Sequence, residues 1–139
     1  MFAFRKLFIS LPCQNNAGDV RLINYHIYMI KLIEAIHEIA KENPEGFTVD
    51  LTTLKRITAG ISVAYIETQD SFGIEGLERV IKHALEHDRK VGGWMNEDDG
   101  QFYYDSIRIF TDLEEAKRFG RENRQIAIFD LTNLRLIKL

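Results

Sequence analysis

The sequence predicts an α+β domain with helices laid on an antiparallel sheet. Three observations carry this expectation. Two amphipathic helical stretches each sit between strand-like runs, the middle two runs are joined by the acidic turn Asn96-Glu97-Asp98-Asp99-Gly100, and the composition suits one ordinary core. The chain has 139 residues, 45% hydrophobic and 28% charged, enough to bury a core without metals or disulfides. No glycine- or proline-rich linker divides it, so one domain is expected.

Residues 1–28 read as an N-terminal extension, either an extra strand or a poorly ordered leader, ahead of a single domain at 29–139. Arg5 and Lys6 interrupt the first apolar run and no small-residue cleavage site follows, which argues against a secretory signal. Met29 opens a helical pattern and reads as an alternative translation start. From there Met29, Leu32, Ile33, Ile36 and Ala40 recur at helical spacing, and Asn43-Pro44 ends the run. Residues 46–50 form a short strand, and a polar stretch then leads to the strand 61–67.

Ser71 is placed to cap a helix whose apolar stripe is Ile74, Leu77, Val80, Ile81 and Ala84. A hairpin follows, with strands at 91–95 and 101–110, and Gly100 supplies the positive φ of its turn. Thr111 and Glu114 have capping-box spacing before a second helix striped by Leu113, Ala116 and Phe119. Strands at 125–131 and 134–138 complete the chain. Residues 61–131 thus follow the order β-α-β, hairpin, β-α-β. That is the split βαβ pattern of ferredoxin-like folds, here with an added N-terminal helix and C-terminal strand.

A net charge of −3 leaves no global basic field for a nucleic-acid backbone. Cys13 is the only cysteine, so an intrachain disulfide is excluded and a reducing, cytoplasmic setting is expected. No apolar run approaches the roughly 18 residues that a membrane-spanning helix needs.

Two clusters carry candidate chemistry. Tyr65, Glu67, Thr68, Gln69 and Ser71 lie at and just beyond the end of an expected central strand, where a carboxylate and a hydroxyl are the ingredients of general-base work. Solvation of the loop and capping by Ser71 explain the same residues. Trp94, Tyr103, Tyr104, Asp105 and Ser106 place aromatics beside a carboxylate on the hairpin, a surface for a base, a sugar or a protein partner, or a set of cross-strand packing pairs. The hairpin strand 101–110 has no cleanly polar face, so it is expected to be covered on both sides or bulged near Asp105.

The remaining features are weaker. His83 and His87 share a helix face at i,i+4 without an HExxH pattern, so no metal site is assigned to them. Glu97, Asp98 and Asp99 lack the spacing of a calcium loop, and Arg118, Arg121 and Arg124 read either as a small basic patch for nucleic acid or as a solvated helix end. No cofactor motif is present.

The segments GFTVDL, GISVAYIETQDSFG, GGWMNEDDGQFYYDSIRIF and LEEAKRFGRENRQIAIFDL resemble small domains encoded by phages and other bacterial mobile elements, including regions of very large phage polyproteins. The likeness spans residues 46–138. It implies a bacterial-host setting and an accessory or host-interaction role, and it supplies no catalytic residues. The sequence is therefore read as a small non-catalytic protein that acts by binding another protein, with homodimerisation through open sheet edges. The rival reading is a hydrolase or nuclease using Glu67, Ser71 and Asp105.

Overall fold

Alternation along residues 101–110 gives that strand two non-polar faces, and the fold is arranged around it. The computed structural model describes residues 17–139; Arg5, Lys6, Cys13 and the front of the expected extension lie outside the described residues. Among the described residues are the helices α1 (Ala17–Glu42), α2 (Gly73–Leu85) and α3 (Leu113–Glu122). The strands are β1 (Phe47–Asp50), β2 (Ile61–Ala64), β3 (Ser71–Phe72), β4 (Lys90–Asn96), β5 (Gln101–Phe110), β6 (Ala127–Asp130) and β7 (Arg135–Lys138). They form a seven-stranded sheet in the order β1-β4-β5-β2-β6-β7, with β3 also paired to β5. Every pairing is antiparallel.

Strand β5 is the hub. On one edge its first half pairs with β4, from Asn96↔Gln101 to Val91↔Ser106, in unbroken register. The expected bulge near Asp105 is therefore absent from this pairing. The other edge is filled by three different segments. Strand β3 takes Tyr103 and Tyr104, and β2 takes Ile107 through Phe110. Ser106 lies in the gap between them, with its carbonyl accepting from Tyr65 N at 2.9 Å. Its amide donates to Thr68 Oγ1 at 3.0 Å, a side chain standing in for the missing strand. Thr68 belongs to a 3₁₀ turn, Ile66–Thr68, that ends the expected 61–67 strand early.

The helices share one face of the sheet. Met29, Leu32, Ile33 and Ile36 of α1 and Leu77, Val80 and Ile81 of α2 pack with Phe47, Val49, Val91 and Tyr104. A second cluster joins Ala116 of α3 to Ile61, Val63 and Ile128, with Phe110 and Phe119 against it. Tyr104, Ser106 and Phe110 all belong to this face by the two-residue period. Gly93 keeps the layer thin: a Cβ there would lie 2.3 Å from Phe47 Cε1 and 2.6 Å from Phe102 Cε1. Those two rings stack at 6.0 Å in the room it leaves.

Four local expectations are corrected. The first concerns α1, which begins at Ala17, so residues 17–28 are helical rather than strand and the expected boundary at Met29 falls inside one helix. Packing nevertheless begins at Met29, the first buried residue described, which is why periodicity became visible only there. The second concerns α2: its N-cap is Phe72, without a side-chain bond, while Ser71 Oγ donates to Thr68 O at 2.6 Å. The third concerns α3, which is capped by Asp112 Oδ2 accepting from Glu115 N at 2.9 Å, so the capping role passes from Thr111 to its neighbour. The fourth is the coverage of β5. Its second face is closed over Ile107, which is 3% exposed, but it opens toward the hairpin tip.

Replacing Thr68 by valine keeps the shape and removes the hydroxyl that accepts from Ser106 N. Thr68→Val is expected to lose about 1–3 kcal/mol in denaturant unfolding, the cost of leaving a buried amide unpaired. A loss below about 0.5 kcal/mol would show that the gap in the edge is satisfied in another way.

Candidate binding face on the hairpin

The pairings that align β3, β5 and β4 also align three rings. Phe72 lies opposite Tyr103, and Tyr103 lies opposite Trp94, so their side chains leave the sheet on the face away from the helices. Ring centroids are 5.4 Å apart for Phe72–Tyr103 and 5.1 Å for Trp94–Tyr103, the latter pair inclined by 21°. These are packing distances for aromatic pairs. Yet Phe72 remains 48% exposed and Trp94 44%, so the ladder forms without being covered. Its three rings present a continuous apolar strip on a sheet face that carries no helix among the described residues.

Carboxylates surround the strip. Trp94 Nε1 donates to Asp105 Oδ2 at 3.2 Å, and Tyr103 OH donates to Asp99 Oδ2. Burial pushes the Asp105 carboxyl up to about 6; the Trp94 bond opposes the shift and nearby Asp70 adds to it. Hydrogen bonding runs the other way at the hairpin tip. The Tyr103 hydroxyl and the Gln101 amide hold Asp99 below its ordinary value, while Asp99 holds Tyr103 above its own. Among the described residues no Lys, Arg or His forms an ion pair with Asp70, Asp99 or Asp105.

The other expected site residues fall elsewhere. Tyr104 is 3% exposed and packs with Phe47 and Phe102 beneath the helices, so it is a core residue and not part of the surface. Ser71 pairs with Tyr104 and is 1% exposed; its hydroxyl is held by Thr68 O and by Arg79 Nη2 at 2.6 Å. Glu67 lies on the same helix side, 3.8 Å from His83 Nε2. Asp105 is on the opposite face, so Glu67, Ser71 and Asp105 do not share a cleft. A buried, doubly engaged Ser71 cannot reach a substrate. Gln69 is an exposed loop residue whose carbonyl accepts from Arg79.

Tyr65 joins a cluster that residue spacing only hinted at. Its ring packs on His83 at 4.8 Å, His87 at 5.0 Å and Phe119 at 5.1 Å, and its hydroxyl donates to Asp88. Burial, reinforced by Asp88, pushes the Tyr65 hydroxyl up to about 12. The two imidazoles stack at 3.7 Å, with His83 Nδ1 paired to Ser106 Oγ at 2.8 Å. His83 Nε2 is buried without a hydrogen bond. Burial and then His87 lower the His83 pKa, so protonation favours the unfolded chain and acidification below about 6.5 removes stability. The i,i+4 spacing that brought these histidines to notice thus joins α2 to β2 and α3. No group of three or more metal-ligating side chains converges among the described residues.

Two of the three arginines at the end of α3 are interspersed with acids. An open concavity of about 540 Å³ along this helix is lined by Arg118 and Arg121 together with Asp112, Glu114, Glu115 and Glu122. Acids outnumber bases there. No described helix is long and apolar enough to cross a membrane.

Asp105→Asn tests the electrostatics of the hairpin. Because the folded pKa is near 6 and the ordinary value 3.8, the folded state binds the proton more readily, and wild-type stability falls as pH rises from about 4 to 6. The asparagine variant is expected to melt higher than wild type at pH 8, by on the order of 2 kcal/mol, with the gap closing toward pH 4. A gap independent of pH would place the carboxylate in water. Searches against protein-family models, curated proteins and solved structures return no match to this chain.

Proposed function

We propose that the protein is a non-catalytic binding module that engages a protein partner through the Phe72–Tyr103–Trp94 ladder. One observation carries this reading: Phe72 and Trp94, packed on either side of a half-buried Tyr103, stay exposed on a sheet face that no described helix covers, beside the Asp105 carboxylate. Aromatic strips of this kind supply much contact area for little side-chain entropy. The hydrolase reading loses its support, because its three candidate residues lie on opposite faces and Ser71 is buried. A phage or mobile-element accessory role in a bacterial cytoplasm belongs to the same proposal and rests on the resemblance of residues 46–138.

The supporting scaffold is, in this reading, a split βαβ unit of ferredoxin-like type formed by β2, α2, β4, β5, α3 and β6. Its support is the spatial order β4-β5-β2-β6 with antiparallel neighbours and helices on one face. Strands β1, β3 and β7 and helix α1 lie outside that unit.

Trp94→Ala and Tyr103→Ala are each expected to reduce partner capture from a bacterial lysate at least tenfold while the circular dichroism spectrum stays that of wild type. Phe129→Ala, on another part of the sheet, serves as the comparison. Capture unchanged by both ladder substitutions would remove the ladder as the contact.

A further inference from the structure

We propose that the ladder receives a cationic side chain, arginine or lysine, from an extended segment of the partner protein, with Asp105 as the counter-charge. The inference rests on the binding-face reading and names the chemistry that face recognises. Charge complementarity carries it. Asp70 and Asp105 flank the rings, Asp99 is bonded to Tyr103, and Glu97 and Asp98 are exposed at the hairpin tip. Arg79, which bonds to Ser71 of β3, is engaged by Ser71 Oγ and the Gln69 carbonyl, and no described ion pair reaches Asp70, Asp99 or Asp105. The strip is thus acidic at its rim and aromatic at its centre, the combination that attracts a guanidinium or ammonium group.

The same chain shows the completed arrangement on its other face. Arg108 stands 5.2 Å from the centroid of Phe110 and 5.6 Å from that of Phe119, a guanidinium over two rings. The hairpin offers rings at similar spacing, together with a carboxylate whose only described side-chain bond is from Trp94 Nε1. A cation laid against Trp94 and Tyr103 would both cover the rings and neutralise Asp105. A saccharide would stack on the rings but bring no charge to that carboxylate. Nucleic acid would bring phosphates toward five carboxylates, so repulsion opposes it.

Trp94 is the only tryptophan, so its emission reports directly on the site. The probe is an eight-residue peptide of alternating glycine and arginine, compared with its citrulline counterpart, a chitin oligosaccharide and single-stranded DNA. A saturable change with the arginine peptide is expected, at least tenfold weaker with citrulline and at least tenfold weaker in Asp105→Asn and in Tyr103→Ala. Loss in Tyr103→Ala separates ring recognition from general attraction to acidic residues, and circular dichroism confirms that both variants fold.

Trp94 from β4 and Asp70 from the loop before β3 are the groups that act on Asp105, whose carboxyl ionises near 6. Affinity is therefore expected to fall about tenfold from pH 8 to pH 5. Equal affinity for arginine and citrulline, or tighter binding of the oligosaccharide or the DNA, overturns the proposal. Absence of arginine-peptide binding overturns it too, and the binding-face reading then stands or falls separately on whether Trp94→Ala and Tyr103→Ala abolish partner capture.

Discussion

Strand β5 has two edges to pair and two faces to cover, and most of the structure follows from how those four demands are met. A ten-residue strand is too long for either neighbour on the second edge, so β3 and β2 divide it between them. The division leaves the Ser106 amide without a strand opposite, and Thr68 supplies the acceptor. Thr68 reaches that amide from the 3₁₀ turn Ile66–Thr68 through which the chain leaves β2, with Tyr65 and Glu67 on the helix side and Ser71 back on the sheet. Buried backbone groups are seldom left unpaired, and here a loop side chain completes the pairing.

The two faces of β5 then take different work. One is sealed by α1, α2 and α3 and holds Phe102, Tyr104 and Phe110 with their partners. The other is buried at Ile107 and only half-buried at Tyr103, whose neighbours Phe72 and Trp94 are exposed. The transition occurs at Asp105, a carboxylate partly withdrawn from water with an indole N–H as its bond partner. Stability alone does not account for that placement, since an uncharged isostere keeps the same bond without the desolvation cost. The exposed rings beside it are the feature that gives it a use.

Much of the fold was legible in residue patterns, for definite reasons. The hairpin turn showed because Gly100 adopts φ +70, where a left-handed residue was required. Helix α2 showed because its buried positions Leu77, Val80, Ile81 and Ala84 keep helical spacing. The first half of α1 was hidden because none of Val20, Leu22, Tyr25 and Tyr28 is buried, and periodicity reports packing rather than helicity. Capping was misplaced twice, at Ser71 and at Thr111. In each case the residue type was right for a cap, and tertiary bonding or a neighbouring aspartate took the role. The site was half legible. Alternation separated Tyr103 and Asp105 from Tyr104, but it did not say which face the helices cover. Phe72 entered the ladder only through the two-residue strand β3, which is too short to leave a pattern.

Native-state hydrogen exchange tests most directly whether one continuous strand carries both faces. The Ser106 amide, held by a threonine side chain at the junction, is expected to exchange as slowly as the amides of Arg108 and Phe110 that face β2, through the same global opening. Exchange of Ser106 by a faster local opening, with the two halves of β5 protected to different extents, would contradict it. The hairpin and the β2–β6–β7 strands would then be two sheets that merely share a segment of chain.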